Sequence, residues 1–255
     1  MPLTRLRASR KQPNASLVRR VLTTERMDLE ASETAADARR SVSQRLREGR
    51  IADAELDEVY PPSVRRVSPW FWTPIAVAVR AAELLVTRSS TRVLDIGSGA
   101  GKFCIVGAAT TGAWFTGIEH REHLVHTARV AAWRLGVGRA RFLHGTPDAV
   151  DIESFDAVYF FNPFEENLWD DGDRLDDTVT LSEERFVADL AQTMELLSAA
   201  RTGTRVVTYH GFGGEMPRGF VRAVSEHHHT GYLELWVKTC EPPHLACAYG
   251  RCAGR

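Results

Sequence analysis

Three groups of residues in this chain of 255 carry side chains or backbone suited to chemistry. The first is a run of alternating glycines directly after Asp95, the second is the carboxylate of Glu119, and the third is the carboxamide of Asn162. Glycine lets the backbone turn sharply and lets a ligand approach closely, because no Cβ stands in the way. Carboxylate and carboxamide oxygens accept hydrogen bonds from hydroxyl and amino groups. These residue types indicate a ligand-binding site rich in acceptors.

The glycine run lies between a strand and a helix. The short β-branched and aliphatic run that ends in the acid Asp95 predicts the strand, and Lys102–Thr111 predicts the helix. Strand, glycine turn and helix N-terminus together open a nucleotide-binding βαβ unit. A dinucleotide fingerprint needs its third glycine at position 102, which is Lys102, and no Gly-Lys-Ser/Thr of a phosphate-binding loop follows. An NAD-type oxidoreductase is therefore disfavoured.

The glycine run reads Asp95-Ile96-Gly97-Ser98-Gly99-Ala100-Gly101, with the acid two residues before the first glycine. It resembles the first motif of class I S-adenosylmethionine (SAM) methyltransferases. The resemblance implies SAM as the cofactor and places the loop against its amino-acid end. The cofactor-binding residues implied in this loop are Asp95, Gly97, Gly99 and Gly101.

Residues after the second and third predicted strands complete the predicted cofactor site. Trp114–Glu119 predicts the second strand, and its terminal acid lies about 20 residues beyond the glycine loop, where such folds bind ribose hydroxyls. A third strand over residues 141–145 precedes Thr146 and Asp148. The resemblance implies that a side chain here meets the adenine amino group. We assign Asp148 to it, with Thr146 as the alternative.

A buried fourth strand, residues 156–161, ends in Asn162-Pro163-Phe164. These three residues resemble the Asn-Pro-Pro-aromatic motif of amino-directed methyltransferases, shortened by one proline, and more weakly the Asn and Phe of non-SET histone lysine methyltransferases. The resemblance implies that the Asn162 side-chain oxygen and a backbone carbonyl accept the substrate's N–H bonds. The ring of Phe164 could stack on a planar substrate or face a cation. The alternative interpretation is that Asn-Pro is only a turn signal after the strand.

The segment Glu165–Asp177, which is dense in acids, follows directly. Such a run is usually solvated surface, but at the mouth of a site it would repel phosphates and attract amines. It favours a small molecule or protein over nucleic acid as the methyl acceptor. Tyr209 or His210, on a loop after the fifth predicted strand, could assist proton removal.

Composition sets the wider limits. The net charge is −1, and no apolar run approaches the roughly 18 residues that a membrane span needs, so we expect a cytoplasmic protein without a membrane partner. Residues 1–24 carry basic side chains and no acid, which predicts a disordered leader, with nucleic acid, anionic lipid or organellar import as alternative roles. Residues 25–67 predict a helical extension, and residues 68–255 predict the methyltransferase domain.

Two groups of potential metal ligands are not arranged as known metal sites. His120, His123 and His126 lack a carboxylate at a suitable spacing, and a solvated helix face is the favoured interpretation. The C-terminal group lacks a Cys-x-x-Cys pair. It consists of Cys240, His244, Cys247 and Cys252. We therefore predict no metal site.

These observations predict an α/β fold, with a doubly wound, seven-stranded, mostly parallel sheet and a helical N-terminal extension. The expected antiparallel closing hairpin runs from Tyr232–Lys238 to a return strand at Leu245–Tyr249. His227–His229 is expected to be an exposed helix end. The aromatic run Trp70–Trp72 is expected to seal the sheet edge or to cover the cofactor pocket.

The resemblance covers about Ser68–Arg251, and from Asp53 onward the chain also resembles an uncharacterised bacterial group of class I methyltransferases. We expect SAM-dependent methyl transfer to an amine or amide nitrogen. The alternatives are methylation of a nucleic-acid base nitrogen and a non-catalytic SAM-fold binding protein.

Overall fold

The computed structural model describes residues 42–48 and 50–239; the basic leader and the C-terminal cysteines lie outside this part of the chain. Residues 42–47 are helical. The α-helices that follow are α1 (Asp53–Asp57), α2 (Pro62–Phe71), α3 (Ile75–Leu85), α4 (Lys102–Thr111), α5 (Glu122–Arg134) and α6 (Glu183–Ala199). The strands are β1 (Arg92–Ile96), β2 (Trp114–Glu119), β3 (Ala140–His144), β4 (Ala157–Phe161), β5 (Arg205–Tyr209), β6 (Phe220–His228) and β7 (Gly231–Lys238). Short 3-10 helices cover Pro147–Ala149, Ile152–Ser154 and Glu165–Leu168.

The strands form one seven-stranded sheet in the order β3-β2-β1-β4-β5-β7-β6. Strands β1 to β5 pair in parallel, and β7 pairs antiparallel with both β5 and β6. The strand order reverses between β1 and β4, and open α/β sheets bind ligands in the crevice at such a switch point. The predicted fold class is confirmed.

Alternate residues of the central strands feed two hydrophobic clusters, one on each face of the sheet. Val93 and Tyr159 belong to the cluster that includes α3, α4 and α5, whereas Leu94 and Val158 belong to the cluster that includes α6. Strands buried on both faces explain the continuous apolar runs in the sequence.

The predicted closing hairpin is wrong in its position. β6 and β7 form it, with the turn at residues 229–230, so His227 and His228 lie in a strand and not at a helix end. The side chains of β6 are exposed or half-buried on both faces, and its register shifts between Arg222 and Val224. No alternation of apolar and polar residues therefore marks it as a strand. The predicted return strand Leu245–Tyr249 lies outside the described residues.

Helix α2, which the sequence analysis did not predict, continues through Pro69 and ends in the aromatic run. The preceding helix α1 is joined to the glycine loop by Lys102, which is 3% exposed. The Lys102 ammonium lies 2.7 Å from Asp53 Oδ1 and 2.9 Å from Asp57 Oδ1, and it donates to Ser68 Oγ at 3.2 Å. Two carboxylates compensate the cost of burying this charge.

The described residues contain neither a membrane-spanning helix nor a cluster of metal ligands. None of the helices in this part of the chain is long and apolar enough to cross a membrane. No group of three or more histidine, cysteine, aspartate or glutamate residues in this part of the chain is placed to hold a metal ion.

Candidate active site

A cavity opens at the carboxyl ends of β1, β2 and β4, beside the switch point. Its walls come from the end of α2, the glycine loop, the β2–α5 turn, the segment after β4 and one side of α6. The predicted site residues that line it are Gly97, Gly99, Glu119, Asn162, Pro163 and Phe164. Segments more than 60 residues apart in sequence therefore meet here, as the predicted site requires.

The glycine loop is closely packed against two of these segments. Gly97 and Gly99 both have positive φ, at 75° and 53°. A Cβ on Gly97 would lie 2.6 Å from the Pro163 Cβ, and one on Gly99 would lie 2.2 Å from the Trp72 ring. Larger residues would therefore displace Pro163 or Trp72 as well as strain the backbone. Trp72 packs on the loop, and Trp70–Trp72 lines the cavity, as the second of the two expectations for this run states.

Glu119 is buried at the end of β2, and backbone amides bond to both of its carboxylate oxygens. Gly99 N–H donates to Oε2 at 3.0 Å, and Arg121 N–H donates to Oε1 at 2.9 Å. Burial raises the pKa of Glu119, while these two amides act in the opposite direction. Each carboxylate oxygen has a further lone pair, so Glu119 can accept bonds from ligand hydroxyls while it holds the loop.

Three predicted cofactor residues do not line the cavity. Asp95 is buried in β1, and burial raises its pKa to about 7 while the Cys104 thiol, 3.4 Å away, donates to it. Gly101 is the N-cap residue before α4, with φ 81°, and a Cβ there would lie 2.5 Å from the Phe142 ring. Asp148 is exposed and accepts a hydrogen bond from Thr146 Oγ1, and of this pair it is Thr146 that lines the cavity.

Asn162 follows β4 with φ 41°, a left-handed conformation that asparagine tolerates better than most residues. Its backbone N–H donates to Gly211 O at 3.1 Å, and its side-chain Nδ2 donates to the Glu165 carboxylate. A carboxylate only accepts, so the contact with Glu165 fixes which end of the amide is the donor. Among the described residues no donor bonds to Asn162 Oδ1, which remains available to a ligand.

Asn167 is a further polar residue in the cavity wall that the sequence analysis missed. It is 4% exposed, and its Nδ2 donates to Phe164 O at 3.0 Å. Its Oδ1 is buried without a hydrogen-bond partner within the described part of the chain. A buried acceptor of this kind is costly unless a ligand or water satisfies it. Phe164 is 5% exposed and packs mainly in the α6-side cluster.

Arg121 holds the acidic segment over this cavity. It is 4% exposed and makes two hydrogen bonds to Glu166, at 2.8 and 3.0 Å, and one to Asp176 at 3.0 Å. Glu166 also accepts from Leu175 N–H at 2.7 Å. The segment is therefore not wholly solvated, because two of its acids are neutralised by a buried arginine. The sequence shows a cation directly after β2 and acids 45 and 55 residues later, but no local pattern links them.

The interpretation of the three histidines as a solvated helix face is wrong for His120. His120 precedes α5 and lines the cavity; burial, helped by the charge of Arg121, lowers its pKa to about 4. His123 and His126 are exposed on α5, as that interpretation states, and His123 Nε2 lies 3.2 Å from Asp176 Oδ2. His120 is thus a neutral wall of the cavity at physiological pH.

Neither residue predicted to assist proton removal lines the cavity. Tyr209 is 1% exposed, and its hydroxyl donates to His228 O at 3.1 Å. His210 Nε2 lies 3.2 Å from Thr230 Oγ1. Both side chains bond to the β6–β7 hairpin.

Helix α6 contributes an ion pair to the cavity wall. Arg185 donates to the buried Asp189 carboxylate at 2.8 and 2.9 Å, and both residues line the cavity.

Comparison with known families agrees with this geometry. Residues 93–176 match a family model described as a methyltransferase domain. The chain contains a SAM-dependent methyltransferase domain. The matched region begins in β1 and ends in the acidic segment, so it includes the glycine loop, Glu119 and Asn162. The methyltransferase activity and the SAM cofactor expected from the sequence are thereby confirmed.

Solved structures similar to this chain include an RNA methyltransferase from Salinibacter ruber in complex with S-adenosyl-L-homocysteine. It is 25% identical, with a TM-score of 0.50, over 68% of this chain and 96% of that one. TrmN from Thermus thermophilus is 19% identical, with a TM-score of 0.48, over 63% and 48%. A precorrin-6y C5,15-methyltransferase from Geobacter metallireducens is 11% identical, with a TM-score of 0.44, over 67% and 91%. No curated protein matches the chain significantly.

Proposed function

We propose that this protein methylates an amine or amide nitrogen of a small molecule or protein, with Asn162 orienting that nitrogen. One observation carries the proposal: Asn162 lines the cavity, the Glu165 carboxylate engages its amide nitrogen, and no donor among the described residues bonds to its amide oxygen. An oxygen acceptor beside the reacting centre binds an amine through N–H. This orientation turns the nitrogen lone pair away from the bond and toward the methyl donor.

The cavity suits SAM by the character of its walls. Glu119 offers a carboxylate for the ribose hydroxyls, and Asn167 Oδ1 is a buried acceptor without a partner. Ile118, Leu124 and Pro147 supply the apolar walls that an adenine ring needs. When bound, SAM supplies an activated methyl group on a sulfonium. The protein residues then need only to bind, to orient and to exclude water from the site.

The charge of the acidic segment next to the cavity also favours an amine. Asp170 and Asp173 are exposed there, in a surface depression that shares Trp169 with the cavity, and their carboxylates have no cationic partner among the described residues. Such carboxylates repel a phosphate chain and attract an ammonium group. An incoming ammonium must lose one proton before it reacts, and the exposed carboxylates and the solvent around them can accept that proton.

We propose a cytoplasmic location for this protein.

A second candidate function is methylation of a nitrogen on a nucleic-acid base. Its support is the Salinibacter ruber protein, an RNA methyltransferase that this chain covers almost completely. The unpaired carboxylates of the acidic segment oppose it, and for that reason we place it second.

The test is incubation of the full chain with methyl-labelled SAM and a fractionated cell extract. We expect label in protein or in small molecules that contain a primary or secondary amine. Label confined to RNA that alkaline hydrolysis converts to methylated nucleotides would establish the second candidate instead. The Asn162→Ala variant is the matched control, because it should bind SAM and transfer little label.

A further inference from the structure

One stretch of the chain carries positive charge and no negative charge. Residues 123–147 include four arginines and no aspartate or glutamate. They form α5 and β3, and β3 is an edge strand of the sheet. A shallow groove runs along this edge between the C-terminal half of α5 and the outward-facing residues of β3. We define this edge groove by Arg129, Trp133, Arg141 and Leu143, all of which line it.

The arginines of this region keep their charge exposed. Arg129 donates to Phe142 O at 2.7 and 3.2 Å, and Arg139 donates to Gly112 O, so backbone carbonyls are their partners. The guanidinium carbons of Arg139 and Arg141 lie 5.2 and 4.9 Å from the ring centre of Trp114. No ion pair to a carboxylate is found for these arginines among the described residues. A field of one sign attracts a polyanion.

Two apolar side chains stand free among these charges. Trp133 is 76% exposed and Leu143 is 42% exposed. Trp133 lies four residues after Arg129 on α5, so the indole and the guanidinium share one helix face. A tryptophan this exposed beside unpaired arginines matches the pattern of single-strand nucleic-acid grooves, in which basic side chains follow the backbone and aromatic rings stack on bases.

An edge strand can also pair with an added peptide strand, but Arg129 opposes that here. Its guanidinium takes the Phe142 carbonyl, the group on the outer edge of β3 that an added strand would need. We propose that the edge groove binds single-stranded nucleic acid, with phosphates on Arg129 and Arg141 and a base on Trp133. This proposal concerns binding alone and does not depend on the methyl acceptor.

The experiment measures the anisotropy of a labelled 12-nucleotide single-stranded RNA of mixed sequence, with the full chain and without SAM, over a series of salt concentrations. We expect Trp133→Ala to weaken binding roughly fivefold to hundredfold, as loss of one stacked base does, and Trp133→Phe to restore part of it. The double variant Arg129→Gln/Arg141→Gln should weaken binding and reduce the salt slope by about 1.4. Arg218→Gln is the matched control, because Arg218 is exposed near β6 at the opposite edge of the sheet.

Three outcomes would overturn the proposal. The first is no RNA binding in low salt, and the second is binding that none of the groove variants alters. The third is that polyglutamate or anionic lipid vesicles compete with the labelled RNA as well as unlabelled RNA does, and that this competition does not depend on Trp133. That result would indicate a protein or membrane partner. Calorimetry of SAM binding to the same variants should show no change, so failure here is distinguishable from failure of the proposed function.

Discussion

The side-chain amide of Asn162 donates from Nδ2 to the carboxylate of Glu165, three residues further along the chain. The positive φ of Asn162 and this contact together fix the direction of the amide. The amide oxygen is then the end of the side chain that has no donor among the described residues. The orienting role proposed for Asn162 can therefore be tested by substitutions at Asn162 and at Glu165.

Asn162→Ala should leave SAM affinity nearly intact while methyl transfer falls on the order of a hundredfold or more, because positioning of the acceptor is lost. Glu165→Gln should lower the rate less than Asn162→Ala does, since a glutamine oxygen still accepts from Asn162 Nδ2. Glu165→Ala should lower the rate more than Glu165→Gln does. Calorimetry gives the affinity, and label transfer gives the rate. Wild-type turnover by Asn162→Ala would leave Asn162 as a turn residue and remove the support for nitrogen as acceptor.

Glu119→Ala should weaken SAM binding roughly tenfold to a hundredfold, the loss expected for a charged hydrogen-bond acceptor. The substitution also frees the Gly99 and Arg121 amides, so Glu119→Gln serves as the milder comparison. Calorimetry at constant pH measures both. Unchanged affinity in the alanine variant would exclude Glu119 from the ribose site.

Asp170→Asn/Asp173→Asn should flatten the dependence of the reaction rate on ionic strength, if these carboxylates attract a cationic acceptor. Screening at 0.1 M salt reduces charge effects beyond about 10 Å, so the wild-type rate should fall as salt rises. Asp171→Asn is the control, because Asp171 is already paired with Arg174 at 2.5 Å. A wild-type rate that ignores salt would mean that the acidic segment does not steer the acceptor.

Arg121→Gln should destabilise the fold and release the acidic segment, because the half-buried Glu166 would be left without its cation. Breaking a fully buried pair typically costs about 3–5 kcal/mol, so we expect a smaller loss here. Thermal unfolding and amide hydrogen exchange over residues 165–177 measure the two effects. Arg174→Gln, which removes an exposed pair, should change both much less. Equal exchange in the wild type and in Arg121→Gln would show that other contacts hold the segment.

Because of His120, the free energy of unfolding should decrease as the pH falls. Its pKa is about 4 in the folded protein and about 6.5 when unfolded, so between these values the unfolded chain binds more protons. Its contribution to stability is therefore complete above pH 6.5 and is lost as the pH falls toward 4. His120→Gln should reduce the loss of melting temperature over this window, whereas His126→Gln, at an exposed position, should not.

The parts of the structure that local patterns predict are the central strands and the glycine turn. Two apolar runs, one ending before Gly97 and one ending in Glu119, allow few structures other than a strand that leads into the site. The strand, the turn and the acid are adjacent in sequence, so a local pattern is enough to predict them. The role of Arg121 could not be predicted, since its partners lie 45 and 55 residues away and only folding brings them together. Asp148 was assigned from position alone, and the chain turns so that Thr146 lines the cavity instead.

Lys102 occupies the position at which a dinucleotide-binding turn has glycine, and its ammonium is satisfied by Asp53 and Asp57 of α1. A fragment that keeps this buried charge paired therefore includes both aspartates. A truncated chain that begins at Ser68, where the resemblance to methyltransferases begins, would keep the lysine and lose both of its counter-ions. Protein engineers who transplant or shorten this domain should start it upstream of Asp53, or replace Lys102 at the same time.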